Sequence, residues 1–295
     1  MSASPSPRGA PSPSSTRLSS PLGPSPLGPA APNPGAEPVL RATKLSKSYG
    51  GVHAVREVSF EVAAGELLAL IGPNGAGKTT CFNILNGQIP ADSGTVEIAG
   101  RPTIGRRPRE IWRLGVGRTF QITATFASMS VAENVQVALL AHAGRLRSLL
   151  RSAHRAHRAE ALALLESVGM ASQADRPCAV LAYGDLKRVE LAVALANSPR
   201  LLLMDEPTAG MAPSERAALM QLTSRLADER GIAVLFTEHD MDVVFTHADR
   251  IIVLDRGRLI AAGTPAEVRA NPQVQAVYLG GGLPVAGSAA GAADG

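Results

Sequence analysis

The chain has 295 residues, of which 45% are hydrophobic, and a net charge of +4, so it is long and apolar enough to bury the core of one or two domains. Aromatic residues make up only 3% of it, which leaves few platforms for stacking bases and argues against a nucleic acid partner. No apolar run reaches the roughly 18 residues that a membrane-spanning helix needs. We expect Cys81 and Cys178 to be reduced thiols, because the two positions have no metal-ligand spacing.

Residues 1–38 have a composition unlike that of the rest of the chain. They hold eleven of the 22 prolines, and their first acidic residue is Glu37. Such a segment cannot bury enough apolar surface to offset the entropy lost on ordering, so we predict that it is disordered. A proline-rich ligand for another protein is one alternative, and a natural start further downstream is another. Residues 281–295 are predicted to be a flexible Gly/Ala tail.

The ordered part is predicted to begin near Val39, with strands at residues 39–47 and 58–62 that belong to an antiparallel sheet. Tyr49 lies in the segment between these strands. It either packs beneath a turn, which is the ordinary role of a tyrosine in such a place, or stacks on an adenine ring. A further alternating strand is predicted at residues 95–99.

A glycine-rich stretch in this region fits the phosphate-binding pattern G-x-x-x-x-G-K-[ST]. A buried strand is predicted before it at residues 67–71, and a short helix after it that stops at Gly87. In this arrangement backbone N–H groups surround phosphate oxygens, Lys78 reaches the β- and γ-phosphates, and the Thr79 hydroxyl can bind Mg²⁺. The residues assigned to nucleotide binding are Gly72, Pro73, Asn74, Gly75, Ala76, Gly77, Lys78, Thr79 and Thr80.

The helical spacing of apolar residues predicts mainly helix over residues 131–170. Four arginines fall on one face in the second half of this region. They form either a solvated stripe or a contact with lipid headgroups or an acidic partner surface. These residues are Arg147, Arg151, Arg155 and Arg158.

The segment Leu-Ala-Tyr-Gly-Asp at residues 181–185 precedes a helix that we predict over roughly residues 186–197. Asp185 would then lie near the N-cap and could simply cap the helix. The exposed backbone N–H groups at a helix start that follows glycine could instead bind an anion. The residue types by themselves fit both roles.

An apolar strand at residues 201–204 ends in two acidic residues, Asp205 and Glu206. Downstream of a phosphate loop, a carboxylate at a strand end is placed to bind Mg²⁺, which is the role predicted for Asp205. Glu206 is placed to take a proton from an attacking water. The next buried strand leads to His239, which could contact the γ-phosphate or that water.

A helix from Pro213 to Gly231 and a hairpin at residues 251–260 complete the predicted elements. Buried strands that alternate with helices predict an α/β fold with a mainly parallel sheet. The antiparallel pieces around the phosphate loop add a second, smaller sheet.

These motifs occur in the order found in ATP-binding subunits of ABC transporters, and residues 39–280 resemble that family. The segments Gly-Arg-Thr-Phe-Gln at 117–121, Glu-His-Asp-Met at 238–241 and Val-Tyr-Leu-Gly at 277–280 resemble its branched-chain amino acid importer branch. The resemblance implies a P-loop NTPase core of the ABC ATPase type, with an antiparallel β subdomain and a helical subdomain at roughly residues 105–190. It also implies a peripheral ATPase on the cytoplasmic face of the inner membrane that powers amino-acid import.

The resemblance implies a role for each motif at the phosphate site. Residues 72–80 would be the Walker A loop for ATP, Asp205 the Walker B carboxylate for Mg²⁺, and Glu206 the catalytic base. Gln121 would be the Q-loop residue, with polar reach to Mg²⁺ or to the attacking water, although spacing alone does not single it out. His239 would be the switch histidine.

The resemblance also implies partners. Tyr183, Gly184 and Asp185 belong to the family's signature segment, which would close over ATP held by a second ATP-binding subunit, and this role would override helix capping. Tyr49 would stack on adenine. The second subunit would be a paralogue or another copy of this chain. Membrane-embedded permease subunits would contact the helical subdomain, and a solute-binding protein would act indirectly.

Two departures from the family pattern bear on this interpretation. The signature is usually Leu-Ser-Gly-Gly-Gln, whereas Ala182, Tyr183 and Asp185 stand here in its second, third and fifth places. A carboxylate close to a γ-phosphate repels it, so Asp185 either points away or weakens this half-site. Ala212 stands where the family often has aspartate, so signalling across the dimer through that carboxylate cannot operate.

Three other functions remain open on the sequence. A soluble ABC-type ATPase acting on nucleic acid or ribosomes is opposed by the low aromatic content and the single ATPase domain. A P-loop kinase for a small molecule is opposed by the signature segment and by Glu206 beside Asp205. A degenerate nucleotide-binding regulator is opposed by the presence of Lys78, Asp205, Glu206 and His239.

Overall fold

The computed structural model describes residue 1 and residues 37–119, 125–143 and 157–278. Residues 2–36 and 279–295, which hold most of the two predicted tails, lie outside these ranges. Ten strands lie within them. The strands are β1 (Leu40–Tyr49), β2 (Val52–Val62), β3 (Leu67–Ile71), β4 (Ser93–Ile98), β5 (Arg101–Pro102), β6 (Val116–Thr119), β7 (Leu201–Asp205), β8 (Ala233–Thr237), β9 (Arg250–Asp255) and β10 (Arg258–Gly263).

Nine α-helices lie in the same described ranges, and the predicted helix from Pro213 to Gly231 is confirmed. Pro213 occupies its first turn, and Gly231 ends it in the left-handed conformation with a φ of 63°. The helices are α1 (Lys78–Leu85), α2 (Pro108–Trp112), α3 (Val131–His142), α4 (Arg158–Ser167), α5 (Tyr183–Leu195), α6 (Pro213–Arg230), α7 (Met241–His247), α8 (Pro265–Ala270) and α9 (Pro272–Tyr278).

The larger sheet has six strands in the order β10-β9-β3-β8-β7-β6. β3 pairs in parallel with β8 and β9, and β7 pairs in parallel with β8 and β6. Only the edge strand β10 runs antiparallel to its neighbour among the pairings of this sheet that the structure describes. The prediction of a mainly parallel sheet is therefore confirmed.

Both faces of the larger sheet are covered, which explains why its central strands are apolar without alternation. In β3, Leu67, Ala69 and Ile71 enter a core that also contains residues of α3, α5 and α6. Leu68 and Leu70 point to the other face, where they join a second core with α1 and the smaller sheet. The phosphate-loop strand is thus fully buried and holds the start of the loop rigidly.

The smaller sheet has four antiparallel strands in the order β2-β1-β4-β5. One face of it is apolar and packs on the second core, with Leu40 and Ala42 of β1 buried. The other face is polar, and Arg41 there pairs with Glu61 at 2.6 Å. The predicted second sheet is confirmed, and β1 and β2 are longer than predicted because the sheet extends into the turn around Gly50.

Helices α3, α4 and α5 pack together and form most of the region predicted to be helical. Arg147, Arg151 and Arg155 lie outside the described residues, and Arg158 pairs with Asp175 at 2.7 Å. The strand β6 also falls within residues 105–190, but it belongs to the larger sheet.

Two smaller findings complete the description of the fold. No helix in the described parts of the chain has the length and apolar character needed to cross a membrane. Cys81 and Cys178 are free thiols, as predicted, and both are buried. Burial raises the pKa of the Cys81 thiol to about 12. A thiol with so high a pKa is protonated at neutral pH and therefore unreactive.

Candidate functional site

The order of the strands brings the predicted site residues to one edge of the larger sheet. β8 lies between β3 and β7, and all three strands run in the same direction. Their carboxyl ends therefore meet at one edge. The glycine-rich loop follows β3, Asp205 ends β7, and His239 follows β8. The fold thus assembles three segments that are far apart in sequence.

The glycine-rich loop forms a cradle at the start of α1. Gly77 is the N-cap residue, with a φ of 105°, and the Cys81 N–H donates to its carbonyl at 2.9 Å. The first N–H groups of a helix have no partner within it, so those of Lys78 and Thr79 are available to an anion. A Cβ on Gly77 would lie 2.2 Å from the Ala54 carbonyl oxygen, so only glycine fits this close approach.

We predict that Gly77→Ala deforms the loop. It is expected to lower the free energy of unfolding by roughly 2–4 kcal/mol, because strain and overlap with the Ala54 carbonyl add together. Affinity for ATP is expected to fall at least about tenfold. Gly100→Ala is the matched control, because Gly100 also has a positive φ, of 71°, but nothing lies within 4 Å of its added Cβ. Chemical denaturation and titration with a fluorescent ATP analogue check both variants, and equal effects would contradict the prediction.

Lys78 is held against the loop by two backbone carbonyls. Its Nζ donates to the Gly72 oxygen at 2.6 Å and to the Pro73 oxygen at 3.2 Å, and the residue is only 8% exposed. Burial lowers the pKa of Lys78, and the nearby carboxylates of Glu206 and Asp205 oppose this shift. The ammonium is therefore placed at the mouth of the cradle, between the loop and the two acidic residues.

Asp205 is oriented by the neighbouring strands. Its Oδ1 accepts a hydrogen bond from Thr237 Oγ1 at 2.8 Å, and its Oδ2 lies 3.8 Å from Arg118 Nη2. Burial lowers the pKa of Arg118, and the Asp205 carboxylate opposes this shift. Sequence reasoning missed Arg118 and Thr237, although both stand within or beside segments that it singled out.

The described residues contain no group of three or more His, Cys, Asp or Glu side chains that could hold a metal ion. At a nucleotide site, one or two protein oxygens and the phosphates share the coordination of Mg²⁺. Asp205 and the exposed hydroxyl of Thr79 are the oxygen donors that suit this arrangement.

Glu206 and His239 form a direct pair. Glu206 Oε1 lies 2.8 Å from His239 Nε2, and the two side chains are 23% and 53% exposed. Glu206 has a positive φ of 49°, and its N–H donates to the Thr237 carbonyl and hydroxyl oxygens, both at 3.1 Å. A strained residue held in this way is typical of a functional site. The carboxylate is thus fixed beside a group that can exchange protons.

Further contacts tie the loop after Glu206 to the segment around His239. Glu238 is buried, and its Oε1 accepts from the Thr208 N–H at 2.8 Å and from the Thr208 hydroxyl at 2.7 Å. Arg216 donates from Nε to the Met211 carbonyl at 2.7 Å and forms an ion pair with Asp240. Sequence reasoning missed these positioning contacts.

We predict that Glu238→Gln becomes more stable relative to the wild type as the pH rises. Burial raises the pKa of Glu238, so the stability linked to its protonated form is present below its ordinary pKa of 4.5 and is lost as the pH rises through the folded-state pKa. Glutamine does not titrate and keeps an acceptor for the Thr208 N–H. Glu238→Ala, the control, leaves both Thr208 donors unpaired and is expected to cost about 1–3 kcal/mol at pH 7. Denaturation at pH 4.5 to 8 checks this, and a stability difference that shrinks with rising pH would contradict it.

The signature residues form the first turn of α5, which begins about three residues earlier than predicted. The N-cap is Ala182, without a side-chain cap bond, so capping by Asp185 is wrong. Asp185 instead lies inside the turn, and its Oδ2 accepts from Gln173 Nε2 at 3.0 Å. Gly184 lies against α6, because an added Cβ would be 2.8 Å from Glu215 Oε1.

The remaining predicted residues lie at the surface or outside the described ranges. Tyr49 ends β1 and is 48% exposed, with Lys47 Nζ 5.5 Å from its ring centroid, so it does not pack beneath a turn. Tyr183 is 41% exposed, and its ring lies 3.6 Å from the position of a Cβ on Gly210. Gln121 lies outside the described residues.

The fold and the site define a P-loop nucleotide-binding domain of the ATP-binding cassette type. Residues 55–209 match the ABC transporter family, and residues 258–283 match the branched-chain amino acid ATP-binding cassette transporter family. The chain therefore belongs to the ABC transporter ATP-binding proteins, as the motifs indicated.

Several curated relatives match this chain over nearly their full length. The high-affinity branched-chain amino acid transport ATP-binding protein LivG of Salmonella typhimurium is 40% identical over 252 residues, which is 83% of this chain and 99% of that protein. LivG of Escherichia coli K12 is 38% identical with the same coverage. BraF of Pseudomonas aeruginosa, described in the same words, is 37% identical, again with the same coverage.

Solved structures agree with this assignment. One of them is an ATP-binding cassette of an ABC transporter in its ADP conformation. Its sequence is 30% identical to that of this chain, the TM-score is 0.73, and the match covers 83% of this chain and all of that one. A dimeric post-hydrolysis cassette bound to ADP and phosphate is 27% identical, with a TM-score of 0.65 and coverage of 77% and 98%. The predicted fold class, an α/β ABC ATPase core with a second antiparallel sheet, is therefore confirmed.

Proposed function

We propose that this chain is the ATP-binding and ATP-hydrolysing subunit of an importer for branched-chain or related amino acids. The observation that carries hydrolysis is the Glu206–His239 pair at 2.8 Å, at the strand edge that also holds the phosphate loop. The amino-acid substrate class is supported by the substrates of the relatives' transporters, as their names give them, and by the match at residues 258–283. The proposed cassette comprises residues 39–280.

The phosphate loop binds the triphosphate of ATP in this proposal. The N–H groups at the start of α1 donate to phosphate oxygens, and Lys78 Nζ exchanges its carbonyl partners for the β- and γ-phosphates. Thr79 and Asp205 hold Mg²⁺, with Gln121 contributing to the ion or to its water. The bound ion supplies charge neutralisation for the transferred phosphoryl group.

Glu206 acts as the general base. Its carboxylate accepts a proton from the water that attacks the γ-phosphate. The neighbouring imidazole of His239 orients this carboxylate and contacts the γ-phosphate. Thr237 fixes the Glu206 backbone, so the carboxylate keeps its direction when nucleotide binds.

A second ATP-binding subunit completes each site. The first turn of α5 presents Tyr183, Gly184 and Asp185 toward ATP on that subunit, and Tyr49 stacks on the adenine ring of this chain's own ATP. The exposure of Tyr183 and Tyr49 supports these roles. The Gln173 hydrogen bond to Asp185 supports the arrangement in which this carboxylate points away from the γ-phosphate. The second subunit is a paralogue or a further copy of this chain.

The subunit works at the cytoplasmic face of the inner membrane, against membrane-embedded permease subunits, and a solute-binding protein delivers the amino acid. A groove of about 460 Å³ between β6 and α3 supports a permease contact within the helical region, residues 105–190. Trp112 and Phe126 line this groove, and Phe126 is 55% exposed. An exposed aromatic side chain beside an apolar groove is typical of an interaction site.

The test is ATP hydrolysis and leucine uptake by the chain purified with its membrane partners and reconstituted in liposomes. We expect hydrolysis to depend on this subunit and to rise when leucine-loaded binding protein is added. ATP consumption that requires a small-molecule acceptor would instead support a kinase. Stimulation by ribosomes or nucleic acid, without any by the permease, would support a soluble ABC-type ATPase.

A further inference from the structure

The segment around His239 is tied on both sides to residues that follow Glu206 in the chain. On its N-terminal side, Glu238 accepts two hydrogen bonds from the loop after Glu206. On its C-terminal side, Asp240 forms an ion pair with Arg216. His239 itself is 53% exposed, and its imidazole contacts Glu206. The direction of this imidazole therefore depends on how firmly the two flanking residues are held.

Arg216 has a rigid anchor on the loop. It lies in the first turn of α6, where its backbone N–H donates to the Ala212 carbonyl at 3.0 Å. Its Nε donates to the Met211 carbonyl at 2.7 Å, and Met211 is buried in the larger core. Nη1 of the same guanidinium pairs with Asp240. Because a planar guanidinium donates in fixed directions, Arg216 sets the position of Asp240 relative to a buried part of the loop.

Asp240 transmits this restraint to the backbone beside His239. Its Oδ1 accepts from the N–H groups of Asp242 and Val243 at 3.0 and 3.3 Å, so it is the N-cap residue of α7. Its Oδ2 meets Arg216. Since one carboxylate both caps the helix and meets the guanidinium, a shift of the start of α7 would break one of these contacts. The backbone of His239 immediately precedes this point.

We propose that Arg216 is a positioning residue for ATP hydrolysis, which holds the His239 imidazole beside Glu206 by fixing Asp240. The inference rests on the proposed function and extends it to a residue outside the sequence motifs. Because Arg216 acts through Asp240 and not on the phosphates, its loss affects kcat more than KM. The side chains of the ion pair are only 30% and 29% exposed, so solvent and salt screen it less than a pair at the open surface.

The decisive variant is Arg216→Met, which removes the hydrogen-bond donors and keeps the apolar part of the side chain. We expect kcat for ATP hydrolysis by the assembled complex to fall about fivefold to tenfold, as for the loss of a charge-assisted hydrogen bond. KM for ATP is expected to stay within about twofold of the wild type. An unchanged kcat would overturn the proposal even if the melting temperature fell.

Arg225→Met is the matched control. Arg225 lies on the same helix, about 13 Å further along its axis. It pairs with Glu229 at 3.9 Å, and these two side chains are 59% and 57% exposed. The variant makes the same chemical change away from the site, so it should hydrolyse ATP like the wild type. Equal losses of kcat in the two variants would show a general effect of removing charge from α6 and would contradict the role of Arg216.

Asp240→Asn tests the ion pair from its other side and covers the case in which Arg216→Met does not fold. Asparagine keeps an oxygen that can cap α7, but it loses the charge that meets Arg216. We expect kcat to fall by a similar factor. The double variant is expected to lose at most about twofold more than Arg216→Met, because both changes remove one contact. Fully additive losses would show that the two residues act separately, against the proposal.

Two further variants distinguish this inference from the proposed function. In a His239→Ala background, Arg216→Met is expected to change kcat less than about twofold, because the imidazole on which it acts is gone. A further fivefold loss there would overturn the positioning role. Glu206→Gln tests the site itself. If it loses turnover while Arg216→Met does not, only the role of Arg216 is wrong, whereas wild-type turnover by Glu206→Gln contradicts the site on which the inference rests.

Discussion

Replacing Glu206 with glutamine is expected to lower the rate of ATP hydrolysis by at least about 100-fold while leaving ATP bound. The carboxylate lies 2.8 Å from His239 and is the proposed acceptor of the proton from the attacking water. Glutamine has nearly the same shape but cannot accept that proton. Because Lys78 and the phosphate loop are unaltered, the affinity for ATP is expected to change less than about threefold.

The measurement compares phosphate release with binding of a fluorescent ATP analogue, in the assembled complex. Glu229→Gln is the matched control, because Glu229 lies on α6 with a side chain that is 57% exposed. It makes the same chemical change away from the site and should hydrolyse ATP like the wild type. If Glu206→Gln turned over ATP as fast as that control, Glu206 would not be the base.

Replacing Lys78 with methionine is expected to weaken ATP binding by about 10- to 100-fold, the range for losing a charge-assisted hydrogen bond to phosphate. Lys78 is buried at the mouth of the cradle. Because lysines on the exposed surface do not reach this position, none of them can replace its proposed contact with the phosphates. Methionine fills a similar volume, and the Gly72 and Pro73 carbonyls lose their donor. Hydrolysis should fall with it, because phosphate binding precedes the chemical step.

Lys44→Met provides the control for charge and hydrophobicity, because Lys44 is an exposed lysine of β1. Titration with the fluorescent ATP analogue at a fixed Mg²⁺ concentration measures both variants. We expect Lys44→Met to bind like the wild type. Similar losses in the two variants would indicate a nonspecific effect of removing positive charge and would contradict the role of Lys78.

The two expected effects divide the site by function. In the proposed mechanism Lys78 acts on binding, because its ammonium would contact phosphates that are present before and during the reaction. In the same mechanism Glu206 acts on the chemical step, because a proton moves only when water attacks. The contacts of Glu238 with Thr208 and of Arg216 with Met211 hold the loop that follows Glu206.

The amino-acid sequence by itself determined the phosphate loop, the apolar strands and the order of the motifs. These features are local: the loop is a run of consecutive residues, and an apolar strand of five residues is read directly from its composition. The ends of α6 were also readable, because Pro213 and Gly231 act through their own backbone conformations. Where a local pattern allowed two structures, prediction was less accurate, and the start of α5 was placed too late.

Only the tertiary structure decided which distant side chains meet. Glu206 and His239 are 33 positions apart and touch because β7 and β8 are neighbours in the sheet. The pairing of Arg118 with Asp205 depends in the same way on β6 lying beside β7. No local pattern contains such information, since strand order follows from how the whole chain buries its apolar surface.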